Sequence, residues 1–108
     1  MAIDQTGVID FVTVTADEAW LTISDHLPWD EDEGEHLQFL QDKLNAYLRF
    51  IESGELIETC PSAIGLLPVI NLVGKFPLSP LAQQFVHLAE GTVQQAGFRL
   101  QFSLIQPN

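Results

Sequence analysis

Basic residues are scarce in this sequence, which has four Lys and Arg against fifteen Asp and Glu and a formal net charge of −11. The few cations are scattered along the chain, at Lys43, Arg49, Lys75 and Arg99. Nucleic-acid binding depends on neutralising phosphates with such side chains, and anionic membranes attract the same residues. The sequence therefore disfavours nucleic-acid and membrane partners, and the excess of acids indicates either a basic protein partner or simply solubility.

Cysteines and long hydrophobic runs are almost absent as well. Cys60 has no second cysteine to pair with, which is typical of a reducing compartment. The run GLLPVINLVG is far too short to span a bilayer, and MAIDQTGVID lacks the basic and apolar regions of a secretory signal. Because no linker or repeat interrupts the chain, we predict a cytoplasmic protein with a single domain over residues 1–108.

Glycine-rich loops are also missing, because the seven glycines are isolated from one another. Neither the P-loop pattern nor the dinucleotide-binding pattern of glycines is present. The sequence therefore predicts no cofactor.

The first half of the chain contains a predicted β-hairpin followed by a predicted helix. Residues 8–15 and 18–24 are rich in Val, Ile, Phe, Trp and Thr, and only two residues separate them. In residues 33–54 apolar side chains recur at helical spacing, and Gly54 suits a left-handed helix end. The acids that precede this helix lie at the positive end of its dipole.

The second half adds a strand, a helix and a strand. Residues 66–76 predict a strand, and Pro68 restricts its start to an edge or to the first paired position. Residues 98–105 alternate between apolar and polar side chains, as a half-solvated strand does. Residues 55–65, between the halves, look irregular.

The second helix has clear signals at both ends. Ser79 is a suitable N-cap, Pro80 suits the first helical position and Gly97 suits the exit. His87 falls near the buried face predicted for this helix.

The predicted order of elements is ββαβαβ. Helical crossovers join parallel strands in a right-handed sense, so the later strands run parallel and the first folds back antiparallel. We therefore expect an α+β fold, a two-layer sandwich with two helices on one face of a four-stranded mixed sheet.

The segment SDHLPWDEDEGEH, residues 24–36, holds two histidines, a tryptophan and six carboxylates. These are ligand types for zinc or a similar ion, but their spacing matches neither H-E-x-x-H nor an EF-hand. Carboxylates before a helix are also common for electrostatic reasons alone. We therefore favour architecture or a contact surface over a metal site. The candidate interaction or metal residues are Asp25, His26, Trp29, Asp30, Asp32 and His36.

No catalytic residue can be assigned from the sequence. Asp25 and His26 are adjacent on a predicted strand and point to opposite faces, which argues against a hydrogen-bonded dyad. Ser24 and Cys60 are nucleophiles by type, but nothing in the sequence places a base beside either. We therefore favour a protein that is not an enzyme. The alternative is a small metal-binding protein or hydrolase that uses residues 25–36.

Two expectations concern exposed apolar surface. We expect Trp29 to fold back as a lid over the open end of the core, and the alternative is an exposed anchor for a partner. A two-layer fold leaves one sheet face uncovered, and the predicted strands at residues 8–15 and 66–76 carry apolar residues on both faces, whereas the last strand does not. We therefore expect a homodimer whose contact face includes Trp20, Val69 and Val73.

The segments VIDFVTV, DHLPWD and EHLQFLQDKLNAYLRFIESGEL, with the strand–helix–strand pattern after them, resemble a family of small uncharacterised bacterial proteins. That family is classified only as a domain of unknown function, and the resemblance covers nearly the whole chain. It implies no activity, cofactor or site residue. Small acidic proteins of comparable fold often resemble immunity proteins that neutralise secreted toxins, which is an analogy of fold alone.

The leading hypothesis is a non-enzymatic module that binds a protein partner through its acidic surface and the loop before the first helix. Its most concrete form is an immunity-type inhibitor of a basic toxin. A purely structural subunit of a homo-oligomer is a further alternative.

Overall fold

The computed structural model describes residue 9 and residues 11–105. Its strands are β1 (Phe11–Val14), β2 (Glu18–Asp25), β3 (Leu67–Gly74) and β4 (Arg99–Leu104). Its helices are α1 (Glu33–Glu52), α2 (Glu55–Thr59) and α3 (Pro80–Gln95), with a 3-10 helix at Pro61–Ala63. None of the helices in this part of the chain combines the length and apolar character needed to cross a bilayer.

The four strands form one mixed sheet in the order β1-β2-β3-β4. β1 pairs antiparallel with β2, whereas β2 with β3 and β3 with β4 are parallel. α1 lies in the connection from β2 to β3, and α3 lies in the connection from β3 to β4. Both connections are right-handed and move along the sheet in the same direction, so both helices lie over the same face. The predicted α+β fold with a four-stranded mixed sheet is confirmed.

The core lies between the sheet and the two long helices. Alternate strand residues point towards the helices and are buried, among them Ala19, Leu21, Ile23, Ile70, Leu72 and Leu100. The buried helix residues that join the same cluster include Leu40, Leu44, Tyr47, Ala82, Val86 and Val93. The Tyr47 hydroxyl also donates a hydrogen bond to the Thr22 carbonyl at 3.0 Å. This bond ties α1 directly to the main chain of β2.

The predicted helix ends are confirmed. The Ser79 hydroxyl accepts a hydrogen bond from the Ala82 N–H at 3.1 Å, and Pro80 occupies the first position of α3. Gly54 and Gly97 have φ angles of +89° and +93°, a left-handed conformation in which a residue with a Cβ would be strained.

Residues 55–65 are more regular than the sequence suggested, because they contain α2 and the 3-10 helix. Leu56 and Ala63 are buried in the common core and anchor this segment. Each helical piece is too short to show a periodic pattern and therefore could not be predicted. Of the predicted first strand, residues 8 and 10 lie outside the described residues.

Pro68 is the second residue of an internal strand, where a proline is unusual. The Leu67 N–H donates to the Asp17 carbonyl at 3.2 Å on the β2 side, so the Pro68 nitrogen faces the β4 side. Pairing with β4 begins only one residue later, where Val69 lies opposite Arg99. The missing N–H therefore removes no bond from the paired region of the sheet.

Candidate functional site

Two loops meet at the edge of the sheet where the parallel strands β2 and β3 end. The β2–α1 loop spans residues 26–32, and the β3–α3 loop spans residues 75–79. In open sheets with parallel strands, the crevice outside the carboxyl ends of the strands is the usual place for a ligand. A functional site is therefore expected at this edge.

Hydrogen bonds connect the two loops into one surface. The Lys75 N–H donates to the Asp25 carbonyl at 2.9 Å. The Ser79 hydroxyl donates to the carboxylate of Glu33, the first residue of α1, at 2.5 Å. Each bond joins residues of different crossovers, so the two loops form one continuous surface.

A buried ion pair lies beneath the β2–α1 loop. Asp25 is the last residue of β2 and points towards the helices, and His36 lies in the first turn of α1. The His36 Nε2 atom is 2.8 Å and 2.6 Å from the two carboxylate oxygens, and both side chains are only 2% exposed. The other ring nitrogen, Nδ1, is 3.2 Å from the Pro28 carbonyl oxygen.

Both ring nitrogens of His36 thus face oxygen acceptors. A neutral imidazole carries one N–H, so at one of the two contacts a lone pair would face an oxygen. The Nε2 contacts to the Asp25 carboxylate are the shorter ones, so Nε2–H is the donor there and the buried carboxylate gains a hydrogen-bond partner. Both ring nitrogens already face oxygens of the protein and the side chain is only 2% exposed, so His36 is not placed to take a proton from a substrate.

Trp29 covers this ion pair. Its ring stacks on the His36 ring with a centroid distance of 3.4 Å and an interplanar angle of 12°, and Trp29 is only 6% exposed. The stacked indole ring keeps water away from the pair. Trp29 therefore folds back onto the core, as the lid interpretation predicted.

The outer surface of the β2–α1 loop and the first turn of α1 is acidic, with Asp30, Glu31, Asp32 and Glu35 exposed. Asp32 has φ 45° and ψ 48°, and it is the one non-glycine residue with a positive φ among the described residues. A left-handed residue with a Cβ is strained by roughly 1 kcal/mol. Because its side chain makes no capping hydrogen bond, contacts elsewhere must hold this turn.

A shallow hollow of about 410 Å³ lies between the two loops. Its lining residues are Pro28, Trp29, Asp30, Phe76, Pro77 and Ser79. The walls are thus mainly proline and aromatic side chains, and an acidic residue stands at the rim.

The structure brings together three of the six predicted site residues, Asp25, Trp29 and His36. The other three, His26, Asp30 and Asp32, are exposed. Nowhere in the described part of the chain do three His, Cys, Asp or Glu side chains lie close enough to hold a metal ion.

The pairing of Asp25 with His36 was missed in the sequence, although two patterns pointed to it. Asp25 shares the alternation that buries Leu21 and Ile23, so it belongs to the inner face of β2. His36 lies one turn before the buried Leu40 on the inner stripe of α1. Two polar side chains on inner faces at the same end of a fold are expected to pair.

The uncovered sheet face is more polar than predicted. The Arg99 guanidinium carbon lies 5.9 Å from the centre of the Trp20 ring, across the β3 residue Val69. The Glu18 carboxylate contacts both groups: it accepts a hydrogen bond from Trp20 Nε1–H at 2.8 Å and forms a salt bridge with Arg99 Nη1 at 2.9 Å. Val69 is therefore buried by side chains of its own chain and is not available to a partner, while Trp20 and Val73 are half-buried.

The other reactive side chains singled out in the sequence lie apart from this edge. Cys60 is half-buried at the end of α2, with its sulfur 3.4 Å from the Ser62 hydroxyl. Ser24 lies on the uncovered sheet face. His87 is exposed, which corrects the prediction that it lies near a buried face: α3 buries Val86, and the next residue is turned away by about 100°.

Comparison with known proteins gives one match. A family model described as "Family of unknown function (DUF6572)" matches residues 1–106. No curated protein and no solved structure matches the chain. The matched range includes every strand and helix described above.

Proposed function

We propose that this chain, which belongs to the Family of unknown function (DUF6572), is a non-enzymatic module that binds a basic protein through its β2–α1 loop. The observation that carries the proposal is a set of exposed carboxylates on a loop whose underside is fixed by a buried ion pair. The proposal thus assigns the Asp25–His36 pair to support of the surface and not to chemistry.

The charge of the loop supports a basic partner. Asp30, Glu31, Asp32 and Glu35 are all exposed within six consecutive positions. A patch of one sign attracts a partner of the opposite sign, speeds encounter and disfavours wrong partners. A chain with a net charge of −11 adds a long-range field of the same sign.

The contacts beneath the loop also support a binding role. The Leu27 N–H donates to the Asp25 carboxylate at 3.1 Å, the Pro28 carbonyl lies 3.2 Å from His36, and Trp29 stacks on His36. Three successive loop residues are therefore held in place. A loop held in one shape loses less conformational entropy when a partner binds, which strengthens binding.

The hollow beside the acidic residues suits the apolar part of such an interface. Phe76 and Pro77 are exposed and line the hollow together with Asp30. Stable interfaces combine a central apolar contact with a polar or charged rim. We expect an apolar side chain of the partner in the hollow, with basic side chains around it.

In its most concrete form the proposed partner is a basic toxin, and the chain is its immunity-type inhibitor. Proteins that act on nucleic acids carry Lys and Arg at the surface that contacts phosphates. A rigid acidic loop would compete with those phosphates and block the substrate. The exposed acids and the net charge support this form of the proposal.

Two triple variants with the same change in charge test the proposal. One neutralises the loop, with Asp30→Asn, Glu31→Gln and Glu35→Gln. The control neutralises exposed acids elsewhere, with Glu52→Gln, Glu58→Gln and Glu90→Gln. Each raises the formal net charge by three, from −11 to −8. Immobilised wild-type chain and the control should retain a stoichiometric basic protein from cell extract, and the loop variant should lose it.

The retained protein should also elute as salt is raised, because salt screens exposed charges. Equal loss from both triple variants would mean that net charge alone governs binding. Retention by both variants would mean that the loop is not the contact. Either result contradicts the proposal.

A further inference from the structure

β4 forms an edge of the sheet, and within the described residues no strand pairs with its outer side. The Ile105 N–H donates to the Gly74 carbonyl at 2.8 Å, so the odd-numbered residues of this strand direct their main-chain groups towards β3. Because these groups alternate along a strand, the N–H and C=O groups of Leu100, Phe102 and Leu104 point outward.

This edge lacks the features by which monomeric proteins protect an edge strand. Protected edges carry lysine, proline, a bulge or an inward-facing charge, or they are very short. Residues 99–105, RLQFSLI, carry one charge, Arg99 at the start of the strand, and it is paired with Glu18. They contain no lysine, proline, glycine or acid, and the pairing of β4 with β3 runs without a bulge. At its end Leu104 and Ile105 are 37% and 48% exposed. The edge is therefore suited to pairing with another strand.

We propose that the strand that pairs here is β4 of a second copy, antiparallel, with a twofold axis at Phe102. In that register Leu100 lies opposite Leu104 of the partner subunit, and Phe102 lies opposite its own equivalent. All outward N–H and C=O groups of the three residues then form hydrogen bonds. The two sheets of four strands join into one sheet of eight.

The sequence of the strand is suited to a copy of itself. Around Phe102 the pattern is symmetric, because Gln101 and Ser103 are polar and Leu100 and Leu104 are apolar. Antiparallel pairing about this centre places Leu100 beside Leu104 of the partner subunit on one face and Gln101 beside Ser103 of the partner subunit on the other. An unrelated strand would need the same pattern in the same register.

The distribution of charge also permits a second copy at this edge. Two chains of net charge −11 repel one another, so a contact between them must avoid the acids. β4 has none, its Arg99 is already paired with Glu18 at 2.9 Å, and in this register Arg99 lies opposite Ile105 of the partner subunit. No like charges meet. The contact thus lies at the sheet edge and not on the face of Trp20, Val69 and Val73.

Measurement of the mass in solution tests this dimer. Light scattering of the wild-type chain should give twice the 12.0 kDa of one chain. Leu104→Lys places a charge on the edge and should return the mass to that of one chain. Leu88→Lys is the matched control, because Leu88 is 71% exposed on α3, and it should remain dimeric. A single-chain mass for wild type at every concentration, or loss of the dimer in Leu88→Lys alone, would overturn the proposal.

A disulfide trap tests the register without weakening the contact. In a Cys60→Ser background, Gln101→Cys with Ser103→Cys places each new thiol opposite one of the partner subunit at a distance that a disulfide spans. Oxidation should give a covalent dimer from the double variant and none from either single variant. A covalent dimer from a single variant would overturn the register, and none from the double variant would overturn the pairing.

The salt dependence separates this proposal from the proposed function. Added salt screens the repulsion between two acidic copies, so the dimer should persist or tighten as salt is raised. Binding of a basic partner should weaken over the same range. A dimer that dissociates as salt rises would contradict pairing through an edge without opposite charges.

Discussion

The β2–α1 and β3–α3 loops connect equivalent elements in different ways. Both follow a parallel strand and lead into a helix at the same edge of the sheet. The N-cap of α3 is Ser79, whose hydroxyl accepts a hydrogen bond from the helix, and Pro80 is the first helical residue. α1 begins after Asp32, which is left-handed and makes no side-chain cap. One loop obeys local capping rules and the other departs from them.

The difference shows where each loop gets its stability. The start of α3 is capped by residues close in sequence, Ser79 and Ala82, although Ser79 also bonds to Glu33. The β2–α1 loop has no such local cap and is fixed by Asp25 and His36, which lie eleven residues apart. Backbone strain and buried charge cost free energy, and in proteins they persist mainly where they serve function. The loop that departs from local rules is also the one that carries the exposed acids.

Of the substitutions that test this contrast, those that break the Asp25–His36 pair should change the free energy of unfolding the most. Asp25→Asn keeps the shape of the side chain but removes the carboxylate that His36 and the Leu27 N–H contact. We expect the free energy of unfolding to fall by about 3 kcal/mol, because two buried donors lose their charged acceptor. Urea denaturation followed by circular dichroism measures the loss.

The same measurement on His36→Phe and on the double variant completes a mutant cycle. If the two residues act as a pair, the double variant should lose clearly less than the sum of the single losses. Additive losses, or a loss below about 1 kcal/mol for Asp25→Asn, would show that the pair does not hold the loop.

Removing the N-cap of α3 should change the free energy of unfolding less. Ser79→Ala deletes the hydroxyl that bonds to Ala82 and Glu33, and we expect a loss of about 1–2 kcal/mol in the same assay. Ser62→Ala, at an exposed serine, is the control and should change the free energy of unfolding by less than about 0.5 kcal/mol. A Ser79→Ala loss as large as that of Asp25→Asn would remove the contrast between the loops.

Relieving the strain at Asp32 should have the smallest effect and the opposite sign. Glycine accepts a left-handed conformation without strain, so Asp32→Gly should raise the free energy of unfolding by about 0.5 kcal/mol. Glu31→Gly, one residue earlier and without a positive φ, should lower it instead. If both substitutions destabilise the chain equally, Asp32 is not strained.

The fold was predictable where the signal was local or periodic. Alternation along the strands, the apolar stripes of α1 and α3, the Ser79 cap and the glycine exits gave the mixed sheet and both long helices. α2 was missed because a helix of five residues has too few turns to show a period. Its buried Leu56 is recognisable only once the core that receives it is known.

The candidate site was predictable only in part, because its contacts join distant positions. The sequence indicated the residues Asp25, Trp29 and His36 and the burial of Trp29, but not that the carboxylate and the imidazole meet. That contact depends on how α1 turns back over β2 through a left-handed Asp32. The burial of Val69 was missed for the same reason, since Trp20 and Arg99 come from strands on either side of it.

Hydrogen–deuterium exchange in Asp25→Asn is the most direct test of the claim that the ion pair holds the β2–α1 loop. With the chain still folded, exchange should rise in residues 26–36, where the Leu27 N–H bonds to the Asp25 carboxylate, and should stay unchanged in residues 75–82. A rise spread evenly over the chain, or no rise in residues 26–36, would contradict the account.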